Sequence, residues 1–212
     1  MSDLTFYTNP MSRGRIVRWM LEELGQPYET VVLSYGEGTC SAEYLAVNPM
    51  GKVPAIRHGE AVVTEAGAIC AYLAEAFPEA GLSPAPGSPA RGAFLRWLFF
   101  AAGPVEAAVT NASFGWTPAD ATEEARVGYG SLARVQDVLE AQLAHGPWFM
   151  GEAFSAVDVY LGSQILWGRM FDTLEPRPAF EDYLARITAR PAAIRANEID
   201  DALMPPPGAS EV

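Results

Sequence analysis

The sequence predicts an α/β domain followed by an all-α domain. Three observations predict it. The segment Gly81-Leu-Ser-Pro-Ala-Pro-Gly-Ser-Pro89 places three prolines and two glycines in nine residues, which forbids a continuing helix or central strand. Short β-rich runs alternate with helical patterns before it, and nearly every segment longer than a turn reads as helix after it. The expected organisation is therefore a domain over residues 1–80, a linker over 81–90 and a helical domain over 91–212.

Leu4–Tyr7 and Tyr28–Leu33 read as strands, with a helix over Ser12–Leu24 between them. On that helix Ile16, Val17, Met20, Leu21 and Leu24 share one stripe, while Arg15, Arg18, Glu22 and Glu23 fall largely off it. Gly25 supplies the stop. Strand, crossover helix and strand form a βαβ unit, so these two strands should be parallel. A short helix over Ser41–Ala46 precedes a strand over Val53–Arg57. The His58-Gly-Glu60 turn then joins it to an antiparallel strand over Ala61–Val63, and a helix over Glu65–Ala76 closes a four-stranded mixed sheet.

Beyond the linker, Arg91 to Asn111 is apolar on most faces, through Phe94, Leu95, Trp97, Leu98, Phe99 and Phe100. Gly103-Pro104 inside it predicts a kink rather than an end. Leu132, Val135, Val138, Leu139 and Leu143 mark a helix expected to run from Thr122 to His145. Ser155 and Asp158 form a capping box, with Phe154 placed to staple onto Val159. Two shorter helices follow over Ala179–Ile187 and Pro191–Leu203, and the tail from Met204 should fray.

Composition narrows the function. The 212 residues are 50% hydrophobic and 19% charged, which suits packed cores rather than disorder. Fourteen basic against twenty-six acidic residues give a net charge of −12, a field that repels nucleic-acid backbones and anionic membrane surfaces. Neither is expected as a partner. Two cysteines, Cys40 and Cys70, with His58 and His145, make no disulfide framework and no metal-ligand spacing, so no metal is expected. The N-terminal residues lack an apolar targeting core, and the chain is expected to be soluble, unprocessed and cytoplasmic.

The specific signal lies in Asn48-Pro-Met-Gly-Lys-Val-Pro-Ala-Ile56 and Val63-Thr-Glu-Ala-Gly-Ala-Ile-Cys-Ala-Tyr-Leu73. Val-Pro-Ala enters a strand, an acidic residue opens the next helix, and Ala-Ile-x-x-Tyr-Leu continues it. With the Ser-Arg-rich first helix ending Leu-Glu-Glu-Leu-Gly25 and the box at Ser155–Asp158, the chain resembles the glutathione S-transferase family, in its cytosolic, bacterial-like, serine-type form. The resemblance spans both domains. It implies a thioredoxin-like domain that holds glutathione as co-substrate, a helical domain that supplies the second substrate's pocket and dimer contacts, and a homodimer.

Carried onto this sequence, the resemblance implies a cis Pro54 that turns the Val53 N–H and C=O toward the cysteinyl part of glutathione, as an added strand would be met. Glu65 would bind the γ-glutamyl ammonium, and the Ala66 N–H, at a positive helix end, the γ-glutamyl carboxylate. The family usually carries Ser or Thr where Ala66 stands, so one hydroxyl is missing, at a cost of roughly 1 kcal/mol. Lys52, the only lysine in the chain, would reach the glycyl carboxylate.

Catalysis requires glutathione's thiol as a thiolate. Lowering its pKa by ~2 units takes about 2.7 kcal/mol of preference for the anion, which a donor hydrogen bond and a helix N-terminus can supply. Ser12 is the first choice for the donor and Tyr7 the second; Asn9 and Met11, nearby, are third choices. Arg13 and Arg15 could add positive potential. Cys40 and Cys70 match no nucleophile position of the family. Met11, Asn111, Phe114 and Trp116 are candidates for the pocket of a small apolar electrophile, and the greasy helix from Arg91 to Phe100 for the subunit contact. The expected activity is glutathione conjugation. A glutathione-dependent disulfide reductase or peroxidase on the same fold and a non-catalytic glutathione-binding module are the alternatives.

Overall fold

The structure, a computed structural model of the chain, describes residues 3–204. Its contacts group into two units. Gly81–Ala189 forms one; the described residues before Gly81, together with those from Arg190 onward, form the other.

The first unit opens with β1 (Leu4–Thr8), α1 (Gly14–Leu24) and β2 (Glu29–Val32), followed by α2 (Ala42–Leu45), β3 (Ala55–His58), β4 (Ala61–Thr64) and α3 (Ala66–Ala76). The sheet order is β2-β1-β3-β4, with β1 parallel to β2 and antiparallel to β3, and β3 antiparallel to β4. This is the mixed four-stranded sheet that the sequence predicts. Gly25 ends α1 at φ 63, its N–H donating to Leu21 O, because only glycine takes that conformation without a Cβ penalty.

Arg18 departs from expectation. It lies off the apolar stripe in the sequence, yet it is 1% exposed. The cause is α10 (Pro191–Ala202), which packs along α1. Arg18 Nε donates to Asp200 Oδ1 at 3.1 Å, and Nη1 donates to Tyr28 Oη and Thr30 Oγ1. The guanidinium also lies 4.9 Å from the Phe6 ring centre. Burial pushes the Asp200 carboxyl up, and Arg18 opposes that only in part. Three further pairs line the same helix contact: Arg15–Asp201 at 2.8 Å, Arg190 with both oxygens of Glu23 at 2.6 and 2.7 Å, and Arg195–Glu22 at 3.3 Å.

The second unit is helical: α4 (Pro89–Phe100), α5 (Glu106–Ser113), α6 (Ala121–Arg126), α7 (Leu132–Leu143), α8 (Ala156–Met170) and α9 (Pro178–Thr188). Between α4 and α5, Ala101–Val105 forms a wide i→i+5 turn around Pro104, so the helix runs on through the proline. By length and composition alone Pro89–Ser113 could cross a membrane; here Phe94, Trp97, Leu98, Ala101, Val105 and Ala108 are buried within the unit. The single helix expected over Thr122–His145 is two. Gly130, at φ 68, breaks the run, and Ser131 recaps the chain by accepting the Arg134 N–H. The tail beyond Met204 lies outside the described residues.

Asp158 anchors this unit. Its carboxylate accepts the N–H groups of Phe149 and Ser155 at 2.9 Å each, the Ser155 hydroxyl, and Tyr183 Oη at 3.1 Å. The capping box of α8 is complete. Burial pushes the carboxyl up to about 6, against the four donors that favour its charge.

Candidate functional site

Strand register decides which residues meet. Ala55 lies opposite Tyr7 on one side and Thr64 on the other, and Thr8 lies opposite Val32. The residues just before β3 and just after β1 and β4 therefore share one end of the sheet. That end collects Asn9–Ser12, Lys52-Val53-Pro54 and Glu65-Ala66.

The turn after β1 is pinned at almost every polar group. Asn9 is 1% exposed; its Nδ2 donates to Leu33 O at 2.9 Å and its Oδ1 accepts the Met11 N–H at 2.8 Å. The Asn9 carbonyl accepts the Ser12 N–H at 3.1 Å and the Ser12 hydroxyl at 2.7 Å. Ser12 Oγ in turn accepts the Gly14 N–H at 2.8 Å, so the half-buried hydroxyl both donates and accepts within the turn. Arg15 Nε donates to Pro10 O at 2.6 Å, and the Tyr35 hydroxyl donates to Met11 O at 3.3 Å. Gly14 must lack a side chain, because a Cβ there would collide with Thr8 Oγ1. Tyr7 is half-buried, its ring 5.6 Å from that of Tyr44.

On the neighbouring strand the Val53-Pro54 bond is cis. The Lys52 carbonyl accepts the Tyr44 hydroxyl at 2.6 Å and Asn48 Nδ2 at 2.7 Å, which fixes the main chain while the Lys52 side chain stays exposed. Burial pushes the Tyr44 phenol up to about 12, so it stays a donor at any physiological pH. Tyr44 and Asn48 escaped the sequence reading; the Asn-Pro-x-Gly turn was the available signal, since an Asn side chain readily folds back onto nearby backbone.

Glu65 is exposed and stands at φ 68, ψ 118, a conformation that costs a non-glycine residue of order 1–3 kcal/mol. It caps α3 without a side-chain hydrogen bond to the helix, so the first-turn N–H groups from Ala66 onward point out of the helix start. A strained acid, an uncapped helix N-terminus, a lysine and a hydroxyl-bearing turn thus line one sheet end. Such a set suits a small zwitterionic ligand with carboxylates and an amine.

The remaining candidates fall elsewhere. Cys70 is fully buried in α3, where burial pushes its thiol far up, and Cys40 is exposed in the loop before α2. Met11 is the exception: it stands exposed on the Asn9–Ser12 turn itself. In the second unit Phe114 and Trp116 are exposed and stacked at 5.0 Å, and Asn111 Nδ2 donates to Tyr129 Oη at 3.1 Å. Among the described residues no group of three His, Cys, Asp or Glu side chains could hold a metal ion.

Comparison with known proteins adds an independent line. Residues 6–81 match the family model of the glutathione S-transferase N-terminal domain, and residues 104–191 that of the C-terminal domain. The disulfide-bond oxidoreductase YfcG of Escherichia coli is 29% identical over 91% of this chain and 94% of its own length. A glutathione transferase structure from Methylococcus capsulatus is 31% identical, with a TM-score of 0.76, covering 94% of this chain and 99% of that one. A sphingomonad glutathione S-transferase complexed with glutathione is 27% identical, with a TM-score of 0.74, covering 93% and 98%.

Proposed function

Because this chain belongs to the glutathione S-transferase family, we propose that it binds glutathione at the sheet end built by Lys52, Val53, Pro54, Glu65 and Ala66. It then conjugates the thiolate to small apolar electrophiles. The observation that carries this reading is the register: it brings the Val53-Pro54 edge, the uncapped start of α3 and the Asn9–Ser12 turn to one place. Each group answers one part of the tripeptide. Glu65 takes the γ-glutamyl ammonium, the Ala66 N–H the neighbouring carboxylate, the Val53 main chain the cysteinyl peptide and Lys52 the glycyl carboxylate.

Ser12 is the donor that holds the thiolate. Its O–H donates to the Asn9 carbonyl, and rotation of the hydroxyl exchanges that neutral acceptor for a charged sulfur, which makes the stronger hydrogen bond. Tyr7 is the second candidate. The chain acts as a homodimer in the cytoplasm, a setting in which its two unpaired cysteines stay reduced.

Calorimetric titration with glutathione, followed by ultraviolet difference absorbance of the bound thiol, tests the reading. Binding with a thiolate present near neutral pH supports it; no heat and no affinity would overturn it. A second reading, glutathione-dependent disulfide reduction, draws on the likeness to YfcG. Parallel assays with an aryl halide and with a disulfide separate the two. Binding without thiolate formation would leave a glutathione-binding module without turnover.

A further inference from the structure

Four charged pairs hold α10 against α1, and one of them continues beyond the helix contact. Asp201 Oδ1 accepts Arg15 Nη2 at 2.8 Å, and the Nε of the same guanidinium donates to the carbonyl of Pro10 at 2.6 Å. Two donors of the planar fork are committed, one to the last turn of α10 and one to the turn that carries Ser12. The bonds to this turn from Leu33 and Tyr35 come from only 24 positions along the chain. Asp201 reaches across 186 positions.

We propose that Asp201, acting through Arg15, is a positioning residue for the thiol-activating turn. The C-terminal helix fixes the orientation of the Arg15 fork, the fork fixes the Pro10 carbonyl, and the carbonyl fixes the next two residues, among them Ser12. Arg15 is 23% exposed and Asp201 66%, so water competes for the ion pair and the effect on affinity is modest, about two- to five-fold. Arg195 supplies the comparison. It pairs with Glu22 on the same helix contact but touches no part of the turn. Loss of that pair loosens the docking of α10 without freeing Pro10.

The inference rests on the proposed glutathione reading, and the experiment separates the two. Parent, Asp201→Ala and Arg195→Gln proteins are compared by the KM for glutathione, the pKa of the bound thiol, and amide hydrogen exchange at Met11 and Ser12 in the free protein. Asp201→Ala should raise KM by about two- to five-fold, raise the bound-thiol pKa and speed exchange at Met11 and Ser12. Arg195→Gln should match the parent in all three. Parent-like behaviour of Asp201→Ala, or equal changes in both variants, would overturn the positioning role while leaving glutathione binding intact. A parent protein that binds no glutathione overturns the reading, and the positioning role with it.

Discussion

Glu65 keeps a positive-φ backbone conformation that strains an L residue more than glycine, which has no Cβ, and the strain has a use only if its carboxylate is needed there. Glu65→Gly should therefore raise stability by about 1 kcal/mol in urea unfolding while weakening glutathione at least tenfold by calorimetry. A variant that loses stability would argue that the acid is structural. Ala66 offers the opposite experiment. Restoring the family's hydroxyl with Ala66→Ser should tighten glutathione about fivefold, the worth of one net hydrogen bond near 1 kcal/mol. For Ser12, removal of a charge-assisted donor should lower kcat at neutral pH at least tenfold and raise the bound-thiol pKa. Because Ser12→Ala also frees the Asn9 carbonyl and the Gly14 N–H, Ser12→Thr serves as the rescue, and unchanged kcat and thiol pKa in Ser12→Ala would pass the role to Tyr7→Phe.

At the scale of elements, α8 depends on one carboxylate. Asp158→Ala leaves two buried main-chain donors and two hydroxyls unanswered and should cost about 3 kcal/mol or more. The pH dependence has a definite sign. Burial raises the folded carboxyl to about 6 above an ordinary value of 3.8, so the native state holds the proton more readily than the unfolded chain. This group's contribution is fully present below pH 3.8 and is lost as pH rises through about 6, a change on the order of 2–3 kcal/mol. Urea unfolding of parent and Asp158→Asn from pH 4.5 to 7.5 measures it as a shrinking parental advantage. The capping box was legible in the sequence because its signal is local, four residues long. The break between α6 and α7 was harder to see: Gly128 and Gly130 interrupt a pattern whose apolar spacing resumes at Leu132, and periodicity weighs the spacing over the breakers.

At the scale of the whole molecule, the two strand pairs and the helical second half followed from pattern, but the β1–β3 pairing that joins them and the place of α10 did not. Nothing near Asp200 announces Arg18 as its partner, and Arg18 itself reads as a surface residue until the helix that covers it is known. The pairing of Arg15 with Asp201, 186 positions away, carries no local signal either. Association is a molecular property too. Leu95 and Phe99 stand exposed one turn apart on α4, a surface suited to the proposed homodimer. Phe99→Asp should yield a monomer in sedimentation velocity, and an unchanged sedimentation coefficient would remove this face from the contact. The return of α10 to α1 also sets an order of events during synthesis. When the first eighty residues leave the ribosome, Arg18 has lost water on one side and has no Asp200 to meet, since all of Gly81–Ala189 must be translated first, roughly 5–20 s at ordinary elongation rates. The nascent sheet waits, incomplete, for α10, and a message cut short ahead of the Asp200 codon leaves Arg18 buried without its carboxylate.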